Sequence, residues 1–526
     1  MTRVLLVDLG TPRDEISEPL GIETLASYIE DEFSDQVILD LKSLELDNLK
    51  SIEPYLVEDY QIIGFSTKIR AYDRFKNSME AVRKHSPNSV VIVGDILGTY
   101  AYDEVLKKWP EVICVRGEGE DSLVELLRRK VSLNDALSLE GIPNLAYLQD
   151  GQLVETERRP FDTLRAKNPK RILATEVFEQ HGIGRLEGSR GCAYAQCGFC
   201  GVIEKYAGPD WKPFSLDFVL RELQTLSDVG FVSPYFTDED FFGDDISRIY
   251  KLADRIAEAK ENGLLNPEMD FYINLRANSV LGVGFGGQTE AIRLLRRLKD
   301  VGLRELFVGV ESGCKDQLAR RYRKGVTKQR NIEAMDTLRG IGFEIDLGFI
   351  FFDQDSSVEE LRENLAFVYE AGIARHDSQL IKKIRIEPRT PIGLQFAANN
   401  GNTWIDLNAV EYPYRFKYSE VEKIFNTFND WQKNDMDVVY NLQSFCRGEI
   451  PKGYARKDVK DIIAQYRELD VQFLDAIVGV FEQSYPLKDA KIKEITQSFE
   501  NRRNSLDSNL IQRIQWLSSH FRRFKI

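Results

Sequence analysis

The chain has 526 residues, 43% of them hydrophobic and 29% charged, and a formal charge of −14. At roughly 100–200 residues per domain this length calls for about three units. The acidic balance excludes broad phosphate-backbone binding, which needs clustered Lys and Arg.

The N-terminal MTRVLLVDLG stops at Asp8 and reads as a first buried strand rather than a signal peptide. No apolar stretch approaches the ~20 residues of a membrane span. Six cysteines are too few for a disulfide framework in a chain this long. The expected setting is the cytoplasm, with neither a membrane nor a nucleic acid as partner.

Over residues 1–135 the runs VLLVD, QVILDL, QIIGFS, VVIVGD and VICVRG alternate with helical patterns such as YDRFKNSMEAVRKH. Continuous apolar strands between helices predict a parallel sheet covered on both faces, an α/β Rossmann-like domain. A ligand of such a sheet belongs beyond the carboxyl ends of its strands. There the chain carries Gly10, then Ser66 and Thr67 in GFSTKIR, Gly94, Asp95, Gly98 and Thr99 in GDILGT, and Gly117 and Glu118 in RGEGE. None of these loops is a G-x-G-x-x-G dinucleotide fingerprint. Residues 136–180 read as a connector, a hairpin NLAYLQDGQLVETE turning at Asp150-Gly151 followed by a charged, Pro-containing link.

Over residues 181–395 the βα rhythm resumes, with GIGRLEG, PYFTDED, DFYINLR, ELFVGVE, EIDLGFIFF and LIKKIRIEP as strand candidates. Six such units predict a partial (β/α)6 barrel with its chemistry at the C-terminal strand ends. Residues 396–526 turn helical and form a C-terminal domain without an assigned role. There is no internal repeat and no low-complexity tract.

The segment GSRGCAYAQCGFCGV sets Cys192, Cys197 and Cys200 at C-x4-C-x2-C on a loop just after a strand. Soft thiolates on one short loop can take three corners of an iron–sulfur cube and leave one iron open. The competing reading, a zinc knuckle, needs a fourth Cys or His close by. The histidines are His85, His181, His376 and His520, and His181 would have to fold back across eleven residues. Cys114, Cys314 and Cys446 are isolated and read as ordinary buried thiols.

This loop and the strands that follow it resemble the radical SAM superfamily. The superfamily's usual spacing is C-x3-C-x2-C, so one additional residue must be accommodated around Tyr194–Gln196. The resemblance implies a [4Fe–4S] cluster on Cys192, Cys197 and Cys200, with S-adenosylmethionine chelating the open iron. It also implies reductive cleavage to a 5′-deoxyadenosyl radical, fed by an external one-electron donor such as flavodoxin or ferredoxin.

The S-adenosylmethionine contacts it implies are Phe199 between the last two cysteines, Asp238, Glu239 and Asp240 in FTDEDFF, Arg276 in INLRANS, and Glu311 and Ser312 in FVGVESG, with LGFIFFD beside the adenine. A carboxylate is the sensible partner for the ammonium of that ligand.

A Rossmann-like domain ahead of such a barrel looks like the cobalamin-binding class of the superfamily, a resemblance that covers residues 1–395. It makes Ser66, Thr67, Arg70, Gly94, Asp95, Gly98, Thr99, Gly117 and Glu118 the corrinoid candidates. Without a D-x-H-x-x-G motif, it implies a corrinoid with no protein His ligand, and Arg70 or Tyr72 near its lower face.

The implied activity is methylation of an unactivated carbon of a small molecule or peptide. One competitor is a rearrangement, cyclization or ring contraction without methyl transfer. Another, of a different class, is a non-catalytic cobalamin-binding protein with a structural metal site. A tRNA methylthiotransferase would be expected to bring further N-terminal cysteines and a basic tail, which this sequence lacks.

Overall fold

The structure, a computed structural model, describes residues 1–11, 16–129, 139–401, 404–433, 436–447, 454–483 and 487–520. The expected boundary at 135/136 and the last six residues lie outside the described residues. The chain forms two compact units. One comprises Met1–Asn274, Asp300–Leu303 and Arg385–Pro413, the other Leu275–Lys299, Arg304–Ile384 and Tyr414–Ile526.

In the first unit the apolar runs form β1 (Thr2–Asp8), β2 (Val37–Ser43), β3 (Ile62–Thr67), β4 (Val90–Gly94) and β5 (Ile113–Val115). They pair in parallel in the order β2-β1-β3-β4-β5. The order reverses between β1 and β3, and that switch point is where an open α/β sheet leaves a crevice for a ligand.

The helix Tyr72–His85 shows how the faces are covered. Its Phe75, Met79 and Val82 recur at helical spacing and pack with Ile63 and Val91 of the sheet. Burying Phe75 or Met79, each fully enclosed, stabilises the fold by roughly 1.5–3 kcal/mol.

The expected hairpin forms as β6 (Leu145–Gln149) and β7 (Gln152–Glu155). Asp150 and Gly151 take φ of 51° and 74°, the pair of positive angles a tight two-residue turn requires. Its first strand pairs antiparallel with β5, so this stretch is the edge of the sheet as well as a link.

The same unit continues with β8 (Arg185–Leu186), β9 (Ser189–Arg190), β10 (Lys212–Pro213), β11 (Tyr235–Phe236) and the start of β12 (Phe271–Arg276). β11 pairs in parallel with both β8 and β12, while β9 and β10 form a short antiparallel ribbon. The three cysteines leave directly from the end of β9.

The second unit holds nearly all of β13 (Leu303–Glu311) together with β14 (Glu344–Phe349), paired in parallel with an irregularity between Gly309 and Glu311. Of the expected sixth strand, LIKKIRIEP, only one bridge forms, between Phe352 and Lys383. The Phe351 and Phe352 N–H groups both donate to Lys382 O, at 2.9 and 3.0 Å. One carbonyl thus takes up two donors that a continuing ladder would spread along a strand.

The C-terminal part is helical as expected, with long helices Tyr454–Glu482 and Lys488–His520 and a core that includes Val439, Leu442, Ile462 and Ile463. Among the described residues no helix is long and apolar enough to cross a membrane.

Candidate cluster loop and corrinoid cavity

The cysteine loop begins at Gly191, whose φ is 85° and where an added Cβ would fall 2.1 Å from Asp210 O. Only glycine fits there. Ala195 takes a left-handed φ of 43° and is buried. It lies in the Tyr194–Gln196 stretch where the extra residue of the C-x4-C spacing has to be looped.

Cys192 and Cys200 pack against a small apolar cluster of Ala195, Val202 and Tyr206, and all three cysteines are half-buried. Hydrogen bonds from several elements tether the loop. Asp240 Oδ2 accepts from Ala193 N–H at 3.3 Å and from the Cys192 thiol at 3.7 Å. Gly198 O accepts from Ile392 N–H at 2.9 Å, and Gly201 O from the Tyr100 hydroxyl at 3.0 Å.

Cys192, Cys197 and Cys200 are three unbridged soft thiols on one tethered, part-apolar loop, the kind of donor set an iron–sulfur cluster takes.

The acidic run after β11 divides its work. Asp238 accepts from Gly188 N–H at 2.8 Å and from the Ser189 hydroxyl at 2.5 Å, and so braces the strand that launches the cysteine loop. Glu239 Oε1 accepts from Lys205 Nζ at 2.7 Å and from the Tyr206 hydroxyl at 2.8 Å. Asp240 is fully buried on the loop itself.

Burial pushes the Asp238 carboxyl up to about 7, against hydrogen bonds from Ser189 and Gly188 that favour the anion. A carboxyl that titrates higher in the fold than in the unfolded chain stabilises the fold in its protonated form. That contribution is complete below about pH 4 and is lost as the pH rises through about 7. Asp238→Asn is therefore expected to gain on the wild type in melting temperature as the pH is raised across this window. A pH-independent difference between the two would show that Asp238 is ionised throughout.

Beyond the carboxyl ends of β1, β3, β4 and β5 lies a cavity of about 380 Å³, at the switch point of the sheet. Of the expected corrinoid residues, Ser66, Gly94, Asp95, Thr99, Gly117 and Glu118 line it. The other three do not.

Thr67 is fully buried, where its hydroxyl donates to Gly94 O at 2.7 Å and accepts from Leu97 N–H at 3.0 Å. Those bonds help explain why GDILGT, read as a loop, runs straight into a helix, Asp95–Tyr100. Gly98 packs that helix down, since a Cβ there would meet Val93 O at 2.3 Å. Arg70 is exposed, and its N–H donates to Asn408 O at 2.6 Å. Tyr72 packs on the sheet core.

Lys68 Nζ stands 3.2 Å from Asp8 Oδ1, and the Ser66 hydroxyl donates to Asp95 Oδ2 at 3.1 Å. Asp95 sits at a left-handed φ of 63°. Burial raises its carboxyl against the opposing pull of Lys68 and Lys205. Among the described lining residues there are six carboxylates, Asp8, Glu18, Asp95, Glu118, Glu120 and Glu187, against four cations, Lys68, Arg185, Arg190 and Lys205.

Sequence reasoning missed Lys68, Tyr100, Glu187, Arg190 and Lys205 as cavity residues. Lys68 and Arg190 had a usable signal, since each lies within two residues of a singled-out position, Thr67 and Cys192.

In the second unit Arg276 ends β12 and caps the short helix Ala277–Val280. Glu311 closes β13 at a φ of 62°, buried and 2.8 Å from Lys324 Nζ. Ser312 is fully enclosed. Its hydroxyl lies 2.5 Å from Gln317 Oε1 and 2.9 Å from Asn364 Oδ1, and accepts from Cys314 N–H at 2.8 Å.

Two family models match the chain, the B12 binding domain over residues 7–127 and the Radical SAM superfamily over residues 186–365. A 4′-phospho-dehydrooxetanocin synthase of Priestia megaterium is 26% identical over 371 residues, covering 66% of this chain and 48% of the relative. The chain thus spans about half the length of that relative.

Among solved structures, the cobalamin-dependent S-adenosylmethionine radical enzyme OxsB, with aqua-cobalamin and S-adenosylmethionine bound, superposes with a TM-score of 0.79 at 18% identity, covering 97% of this chain and 80% of that one. The radical S-adenosylmethionine methyltransferase TsrM of Kitasatospora setae, with cobalamin and a [4Fe–4S] cluster bound, gives 0.62 at 17% identity, covering 95% and 100%. At such identities the likeness is one of fold.

Proposed function

Because the chain belongs to the radical SAM superfamily and carries a B12 binding domain ahead of that region, we propose that it is a cobalamin-dependent enzyme that reductively cleaves S-adenosylmethionine. We propose further that it methylates an unactivated carbon of a small molecule or peptide. The observation that carries this reading is that the cysteine loop and the cavity belong to one unit. Arg190, two residues before Cys192, and Lys205, five residues after Cys200, both line the cavity.

When bound, the cluster supplies the electron that breaks S-adenosylmethionine and the corrinoid supplies a methyl carrier. The chain's own residues do the rest. Cys192, Cys197 and Cys200 hold three irons, and Asp238 and Asp240 brace the strand and loop that present them. Phe199, Asp238 and Glu239 are assigned to S-adenosylmethionine, with Asp238 also bracing the strand that launches the cysteine loop. Ser66, Gly94, Asp95, Thr99, Gly117 and Glu118 form the corrinoid wall, and Tyr100 and Tyr206 shield the loop side from water.

An external donor of the flavodoxin or ferredoxin kind supplies electrons. The cytoplasm, where thiols stay reduced, is the compartment this chemistry needs. The net charge of −14 favours a small molecule or peptide over a nucleic acid as substrate.

A second reading, rearrangement or ring contraction without methyl transfer, is favoured by the similarity to the dehydrooxetanocin synthase. Anaerobic reconstitution with iron, sulfide, cobalamin, S-adenosylmethionine and a chemical reductant separates the two. S-adenosylhomocysteine alongside 5′-deoxyadenosine marks methyl transfer, and 5′-deoxyadenosine alone marks the second reading. Neither product would reject both and leave a non-catalytic binding protein.

A further inference from the structure

Arg190 is 8% exposed and spends its guanidinium on carboxylates from two separate segments. Nη1 lies 2.9 Å from Glu118 Oε1 and 2.8 Å from Glu120 Oε1, both in the RGEGE stretch after β5. On the other side Nη2 lies 2.9 Å from Glu187 Oε2, and Nε donates to Glu187 Oε1 at 3.1 Å. The faces of the group lie against aromatic rings, with Phe161 and Phe214 centred 5.6 and 5.4 Å away.

Glu118 is itself pinned. Its Oε2 accepts from Phe161 N–H at 2.8 Å and from Lys212 Nζ at 3.2 Å. Lys212 is the register partner of Arg190 in the β9–β10 ribbon. The close approach is built into the backbone as well, because Gly117, at φ 79°, leaves room for Lys205 O only by lacking a Cβ, which would fall 2.2 Å from it.

A guanidinium is suited to this task and an ammonium is not. Five donors in a rigid planar fork can span three carboxylates while both faces stack, whereas a single Nζ is a point charge.

We propose that Arg190 is a positioning residue that locks the cysteine loop onto the Gly117–Glu120 wall of the cavity, so that one buried cation sets the placement of cluster ligands and corrinoid site together. This rests on the reading of the cysteines as cluster ligands and of the cavity as the corrinoid site. Arg190 touches neither reacting group in this role. It acts through the two segments that it joins.

The test compares wild type, R190Q, R190K and E120Q as full chains reconstituted anaerobically. Three properties are measured: iron and sulfide content, cluster reduction potential, and affinity for hydroxocobalamin by absorbance titration. All four proteins are expected to retain the cluster, since the thiols are untouched. R190Q should bind cobalamin about tenfold or more weakly, as breaking a buried ion pair strands its partners. Its cluster should also reduce at lower potential, because a nearby positive charge is gone.

R190K should return the potential to the wild-type value without restoring cobalamin affinity. E120Q, which loosens only the cavity side, should lose affinity several-fold with an unchanged cluster. Wild-type cobalamin affinity in both R190Q and E120Q would overturn the proposal. So would full rescue of that affinity by R190K, which would make charge alone sufficient. If R190Q fails to fold, E120Q and R190K decide the matter. Failure of the underlying reading looks different, since the wild type itself would then take up no cobalamin or no cluster.

Discussion

Cys197→Ala should yield a folded protein that holds no iron–sulfur cluster. The backbone at this position is already satisfied, with Cys197 O accepting from Cys200 N–H at 3.3 Å, and alanine preserves that bond. The loop keeps its other tethers, at Ala193, Gly198 and Gly201. What disappears is one corner of the cube. Two thiolates on a half-buried loop do not retain four irons, and the nearby Asp240, a hard oxygen donor already holding Ala193 N–H, does not replace a soft thiolate. After anaerobic reconstitution, iron, sulfide and the visible absorbance of the cluster should fall to background. Formation of 5′-deoxyadenosine should fall with them. An intact cluster in this variant would show that the ligands are other residues.

Gly94→Leu should separate corrinoid binding from folding. Gly94 has φ −116° and ψ −171°, an extended conformation open to any residue. A Cβ placed there meets only Phe65 O, at an ordinary 3.8 Å. Since Gly94 lines the cavity, a leucine side chain takes up space meant for the ligand without straining the chain. Overpacking of ~1–3 kcal/mol corresponds to about fivefold to 150-fold weaker cobalamin binding.

Melting temperature and cluster content are expected to match the wild type. The neighbouring Gly98 gives the opposite outcome, because a Cβ at that position would sit 2.3 Å from Val93 O. Gly98→Ala should therefore lower stability first and binding only as a result. Undiminished cobalamin affinity in Gly94→Leu would place the corrinoid elsewhere.

The parts of this architecture that were legible in the sequence are those written as periodicity or as rare residues. The five parallel strands announce themselves as apolar runs, the hairpin as Asp150-Gly151, and the cluster loop as three closely spaced cysteines. Roles that depend on which neighbour a polar group finds were hidden. Asp238 reads as a ligand candidate because it is a carboxylate at a strand end, and nothing in the sequence shows that it also accepts from the Gly188 amide and the Ser189 hydroxyl.

Ser312 likewise turns inward to Gln317 and Asn364. The helix within GDILGT was masked by its glycines, and the Thr67 hydroxyl that helps anchor its first turn comes from another strand, 30 residues before Leu97. For Arg190 the only signal was its place two residues before Cys192. Its partners Glu118 and Glu120 are some seventy residues away in sequence, and only folding brings them into range.

The pairing of charges around the cavity also bears on what it turns away. Sheets of this topology commonly receive phosphorylated nucleotides at the same switch point, where amide groups and positive charge welcome an anion. Here Lys68, Arg190 and Lys205 are each engaged by a carboxylate of the protein itself, so the positive charge of this wall is spent internally rather than offered to such anions. A neutral guest rich in amide N–H groups meets acceptors on several sides. If the cavity takes a corrinoid as proposed, a large excess of ATP is expected to leave hydroxocobalamin binding unchanged in a competition titration.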